Sequence, residues 1–144
     1  MSDAKKFILV PIDGSDASQR AAEWAKKIAL TLDAGVRLLS VLDLSQLDVY
    51  DGFYLTEKQL TDLKSRMRNE ILDEIEAKLG SDVSVEKELI RGKASSSIIH
   101  AAEHDDVVMV CIGKTGKGAV ARLLQGSVSR DVVNHIEVPC TVIS

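Results

Sequence analysis

Two periodicities alternate along the chain. Five apolar runs rich in β-branched residues, Phe7–Ile12, Val36–Leu42, Val83–Ile90, Val107–Ile112 and Val138–Ile143, read as strands. Between them lie segments whose apolar residues recur every three or four positions, the spacing of one helix face. Ala21, Trp24, Ala25, Ile28, Ala29 and Leu32 form the first such stripe, and Leu60, Leu63, Met67, Ile71, Ile75 and Leu79 the second. A third helix is expected over Ala94–His104 and a fourth over Val128–His135. Strands that alternate with helices imply right-handed crossovers and a parallel sheet with helices on both faces.

Polarity within the strands orders them. Phe7–Ile12 and Val107–Ile112 are apolar throughout, as suits central strands covered on both sides. Val83–Ile90 interleaves Ser84, Glu86 and Glu88 with Val83, Val85 and Leu89, the pattern of an edge strand with one wet face. The resulting order is 3-2-1-4-5, and 144 residues fit one domain, 1–144. The connection Asp43–Thr56 is long and holds Tyr50, Phe53 and Tyr54, which marks it as a functional or mobile loop.

Composition narrows the classes of function. A net charge of −4 argues against a protein that grips nucleic acid through bulk positive charge. No apolar run reaches the length of a membrane span and no leader-like stretch precedes Phe7, so a cytoplasmic protein is expected. Cys111 and Cys140 share no metal or redox spacing and lie in apolar runs, and are read as reduced, buried thiols.

In an open α/β sheet the ligand crevice lies beyond the carboxyl ends of the strands, where the winding reverses. Here that places it between Asp13 and Gly113. The stretch after the fourth strand, Gly113, Lys114, Thr115, Gly116, Lys117, Gly118, Ala119 and on to Gly126 and Ser127, is unusually long for such a connection. Its glycines let backbone amides approach a ligand. Ser127 is expected to cap the last helix, and the first turn, Val128, Ser129 and Arg130, holds no carboxylate. Lys114, Lys117 and Arg122 add positive charge, so this helix terminus reads as a phosphate site. The first helix opens on Asp13, Gly14, Ser15 and Asp16, whose acidic groups turn Asp13 toward a sugar, a base or a metal instead.

Other short motifs carry less. Gly113-Lys114-Thr115 resembles the end of a P-loop, but Val108 stands where that motif requires glycine. Gly116-x-Gly118-x-x-Ala121 meets the loose dinucleotide pattern but not after the first strand. His100, Glu103 and His104 spell H-x-x-E-H, yet they sit on a back-layer helix beside Asp105 and Asp106, where a solvated helix end is the expected role. His135 likewise lies away from the crevice, and no catalytic grouping emerges.

Gly113-x2-Gly116-x9-Gly126-Ser127 resembles the G-x2-G-x9-G-[S/T] loop of the ATP-binding universal stress proteins. Val10-Pro11-Ile12-Asp13-Gly14-Ser15 is similar to that family's first strand and turn, Leu38–Asp43 to its second strand, and Arg91-Gly92-Lys93 to the turn before its third helix. The resemblance covers the whole chain and implies an adenine nucleotide alpha hydrolase-like, Rossmann-like sheet. It also implies that backbone near Pro11 and Val41 meets adenine and that Asp13 lines the nucleoside side. Gly113 through Ala119 would wrap ribose and phosphates, with Gly126, Ser127, Val128 and Ser129 at the phosphates. ATP is the implied ligand, accompanied by Mg2+ or Mn2+ whose protein ligands stay open. The sequence departs from the family in Lys114 and Thr115, and in Thr141 of the last strand. By resemblance, Val138–Ile143 would pair antiparallel with its copy in a homodimer. The implied role is a nucleotide-dependent regulator or adaptor in stress response that acts through a further protein partner. The alternatives are a slow ATPase or phosphotransferase and a nucleotide-free dimeric interaction module.

Overall fold

A computed structural model describes residues 5–44, 56–114 and 127–144. Strands β1 (Phe7–Pro11), β2 (Gly35–Leu42), β3 (Val85–Arg91), β4 (Val107–Gly113) and β5 (Cys140–Ile143) alternate with helices. The helices are α1 (Asp16–Leu32), α2 (Glu57–Arg66), α3 (Asp73–Leu79), α4 (Ala94–Ala102) and α5 (Ser127–His135). All neighbouring strands are parallel, in the order β3-β2-β1-β4-β5 that strand polarity predicts. Every residue of β1 is buried, whereas Glu86, Glu88 and Arg91 of β3 face solvent. β4 is wetter than its composition suggests: Val108 and Met109 are half-buried, and the register against β1 shifts between Phe7 and Ile8. The predicted fifth strand loses Val138 and Pro139, although the Pro139 carbonyl still accepts from Val110 N at 2.9 Å.

Side chains of alternate parity build two apolar layers. Ile8, Val10, Ile12, Val36, Leu38 and Cys111 pack against α1 and α3, while Leu9, Leu39, Val110 and Ile112 pack against α4 and α5. Helix α1 meets the sheet through Ala17, Ala21, Ala22, Ala25 and Ala29. Small residues there let helix and strands approach closely, with Ile28 packed at the margin and the two ends of the predicted bulky stripe left outside. Trp24 and Leu32 are about half exposed, at 50% and 53%, and Lys27 Nζ covers the indole ring at 4.6 Å.

The second predicted stripe is carried by a helix with a break in its winding. Between α2 and α3, Met67–Leu72 adopts π-helical turns, and Asp73 N donates to Arg68 O five residues back. The reason lies in the sequence. In an unbroken α-helix, Leu60, Leu63 and Met67 would fall about 100° away from the face formed by Ile71, Leu72, Ile75 and Leu79. One extra residue in a wide turn cancels that rotation. Leu60, Leu63 and Met67 are accordingly the least exposed positions of their half, and Leu72, Ile75 and Leu79 are buried.

The amino-terminal edge of the sheet is closed by charge. Arg37, 9% exposed, donates from both terminal nitrogens to Asp106 at 2.9 and 2.6 Å and from Nε to Glu86 at 2.9 Å. Its guanidinium also lies 4.4 Å from the Phe7 ring centroid. The paired Asp106 carboxyl is held below the usual carboxylate range, chiefly by its hydrogen bonds from Arg37, and the guanidinium stays charged throughout. Nothing in the hydropathy pattern of β2 signals this cluster.

Candidate functional site

The carboxyl ends of β1 and β4 lie side by side, which puts the turn after each on one rim. β1 ends at Pro11, and Ile12 continues its pairing by donating to Leu39 O at 2.7 Å. Ser40 Oγ, fully buried, donates to Ile12 O at 2.9 Å and locks β2 beside this end. Asp13 follows as an exposed residue, its Oδ1 accepting from Ser15 N at 2.9 Å in a side-chain-closed turn. Gly14 has φ +85°, a conformation that glycine adopts freely. Ser15 then caps α1 by accepting from Ser18 N at 3.1 Å. Asp13 and Pro11 thus reach the predicted rim, with the aspartate already holding the turn together.

On the neighbouring strand Gly113 is the last residue of β4. A Cβ there would meet Ala17 C at 2.8 Å and Ser18 N at 2.9 Å. The glycine is therefore required by the close approach of β4 to the first turn of α1, independently of any ligand. Lys114 is exposed, and its amide extends the β4–β5 ladder to Ile143 O at 2.6 Å. Ser129, buried in the first turn of α5, donates from Oγ to Lys114 O at 3.4 Å. That bond ties the start of α5 to the end of β4. Val128 is half-buried beside it, and no acidic residue occupies the first turn. Ser127 opens α5 at the edge of the described residues. Thr115, Gly116, Lys117, Gly118, Ala119 and Gly126, and with them Lys117 and Arg122 as charges, lie outside the described residues, as do Tyr50, Phe53 and Tyr54.

Val41, on β2, is half-buried and faces the α4–α5 layer. The residue after that strand is one the sequence did not single out. Asp43 Oδ2 accepts from Ala94 N at 3.1 Å, and Gly92 N donates to Leu42 O at 3.1 Å. A carboxylate from β2 thereby serves the N-terminus of α4, where the N-cap Lys93 supplies no side-chain bond. The signal was a helix start with a lysine at the cap and an unassigned aspartate at a strand end. Four helices have a carboxylate at their start, Asp16 at α1, Glu57 at α2, Asp73 at α3 and Asp43 at α4.

The remaining candidates fall outside this rim. His100 and His104 are exposed, with rings 6.3 Å apart, and His135 Nδ1 donates to Asp131 O on the surface. Among the described residues no group of three His, Cys, Asp or Glu could hold a metal ion. Cys111 is buried, and desolvation pushes its thiol up to about 11. Cys140 is half-buried and raised for the same reason. The two lie in opposite apolar layers. No helix among the described residues is long and apolar enough to cross a membrane.

Comparison with known proteins accords with this geometry. A universal stress protein of Thermus aquaticus is 33% identical over 141 residues, covering 96% of both chains. One of Methanocaldococcus jannaschii is 30% identical over 143 residues, covering 96% of this chain and 81% of its own. The structure of the universal stress protein UspA from Lactobacillus plantarum superposes with a TM-score of 0.77 at 26% identity, over 99% of this chain and 100% of that one. A universal stress protein from Archaeoglobus fulgidus in complex with dAMP shares the fold at 20% identity, TM-score 0.66 and 98% of each chain. Another, in complex with cAMP, does so at 20% identity and TM-score 0.68, over 99% of each. Residues 6–144 match the model of the universal stress protein family, and the chain belongs to that family.

Proposed function

We propose that this protein binds an adenine nucleotide, ATP foremost, across the carboxyl ends of β1 and β4. The observation that carries this reading is the convergence of the Asp13 turn, Lys114 and the carboxylate-free first turn of α5 on one rim. Nucleoside binds on the Asp13, Pro11 and Val41 side. The phosphates lie at Ser127, Val128 and Ser129, where backbone amides and the helix dipole favour anions. The Gly113–Ala119 and Gly126 segment completes the wrap, as the family motif implies. Relatives of this fold in complex with dAMP and cAMP support an adenine nucleotide as the ligand class. A divalent ion, Mg2+ or Mn2+, would enter with the phosphates.

The nucleotide acts as a regulatory ligand of a cytoplasmic, homodimeric adaptor in stress response. The partner strand pairs along the free edge of β5, where Val142 is 42% exposed, and a monomeric mass by light scattering at tens of micromolar would exclude that pairing. Isothermal titration with ATP and Mg2+ tests the binding itself. Saturable heat is expected from the native chain, and Gly126→Val is expected to abolish it by placing a side chain where phosphate nears the backbone. An absence of heat at millimolar ATP with folded protein defeats the proposal.

A further inference from the structure

β2 carries a hydroxyl where its neighbours are aliphatic. Ser40 shares one face of the strand with Val36 and Leu38, and like them it is fully buried. A buried hydroxyl is tolerated when it is bonded, and this one donates from Oγ to Ile12 O at 2.9 Å. On the other side of the same peptide, Asp13 N donates to Ser18 Oγ at 3.4 Å. Ser18, 3% exposed in the first turn of α1, is itself held twice at Ser15. Its N donates to Ser15 Oγ at 3.1 Å and its Oγ to Ser15 O at 2.9 Å. The Ile12–Asp13 peptide is therefore gripped at its carbonyl from β2 and at its amide from α1. Beyond it the chain swings into α1 through Gly14, at φ +85°, so the plane of this peptide sets the direction in which Asp13 leaves the sheet.

We infer that Ser40 is a positioning residue for the nucleoside end of the site, acting through the Ile12–Asp13 peptide together with Ser18. This deepens the nucleotide reading and rests on it for its consequence, while the two grips exist without ligand. With both groups of the peptide bonded, what Asp13 offers a ligand is its exposed side chain. Holding that carboxylate in one direction lowers the ordering cost of binding. Packing alone calls for no hydroxyl at position 40, since alanine fits the same space and leaves only Ile12 O without its bond.

Two readouts separate the grip from the nucleotide reading. In the ligand-free protein, Ser40→Ala should quicken amide exchange at Asp13 about fivefold, while Val10 within β1 keeps its protection. In titrations with ATP and Mg2+, Ser40→Ala and Ser18→Ala should each lose about five- to tenfold in affinity, the worth of one hydrogen bond. Because both act on one peptide, the double variant should lose less than the product of the two losses. Leu79→Ala, a core truncation at the far end of α3, should lower Tm further than Ser40→Ala and still bind ATP within twofold. Unchanged Asp13 exchange in Ser40→Ala overturns the grip whether or not ATP binds. Losses that simply multiply overturn the joint action on one peptide. A loss in Leu79→Ala equal to that in Ser40→Ala overturns the positioning role and leaves a general structural one. If the native chain binds no ATP, the nucleotide reading fails and the positioning role with it, while Asp13 exchange still decides the grip.

Discussion

The two ends of the sheet are built on opposite electrostatic plans. At the strand starts, Arg37 is buried and saturated by Asp106 and Glu86, with Phe7 stacked on it, so that end is sealed by its own charges. At the strand ends, Asp13, Lys114 and Ser127 are exposed, and Asp13 and Ser129 make their bonds to main-chain groups of the turns. One end spends its polar groups on closing the sheet. The other uses them to shape turns, leaving the rim accessible. In an open parallel sheet both ends expose backbone, so it is this difference in side chains that seals one end and leaves polar groups exposed at the other.

Breaking the seal should cost the most. Arg37→Met leaves Asp106 and Glu86 without their cation at the edge of the core. Because those side chains are 36% and 48% exposed, water recovers part of the loss, and a destabilisation of about 2–3 kcal/mol is expected. Guanidinium unfolding measures it, and ATP affinity in the surviving folded protein should stay within twofold.

At the opposite end, Gly113→Ala forces a methyl group against the backbone of Ala17 and Ser18, which must shift. A loss of about 1–3 kcal/mol is expected, seen as a lower Tm. Here, unlike at Arg37, ATP affinity falls together with stability, because α1 and the Asp13 turn move as one.

The smallest effect is a pH dependence. Asp106 has its folded-state pKa depressed by Arg37, so its contribution is fully present above the unfolded value of about 4 and is lost as pH falls below it. The stability gap between the native chain and Asp106→Asn should therefore be level near neutrality and shrink below about pH 4. A gap that widened on acidification would contradict the pairing.

Much of this architecture was legible in the chain. Strand order followed from contrast: β1 has no polar residue, and β3 alternates, because two-sided and one-sided burial demand different compositions. The rim could be placed from that order, and Asp13, Gly113 and Ser129 fall on it. The misreadings have physical causes. Periodicity assigns Trp24 and Leu32 to the buried stripe of α1 because it counts apolar positions and ignores how closely alanines let a helix approach. A repeat of four residues through Met67, Ile71, Ile75 and Leu79 looks continuous, and only the position of Leu60 and Leu63 around the axis betrays the wide turn. Arg37 is a single charge in an apolar run, and its partners are 49 and 69 residues away. Gly113 is a different case: the motif marks it, and packing against α1 requires a glycine there as well, a constraint that spacing alone does not reveal.

Amide chemical-shift mapping by NMR during titration with ATP and Mg2+ tests the central claim most directly, since it reads both ends of the sheet at once. Shifts are predicted at Asp13, Gly14, Val41, Lys114 and Ser127–Ser129, with Arg37, Glu86 and Asp106 unmoved. Shifts gathered at the Arg37 end, or none anywhere at millimolar nucleotide, would contradict it.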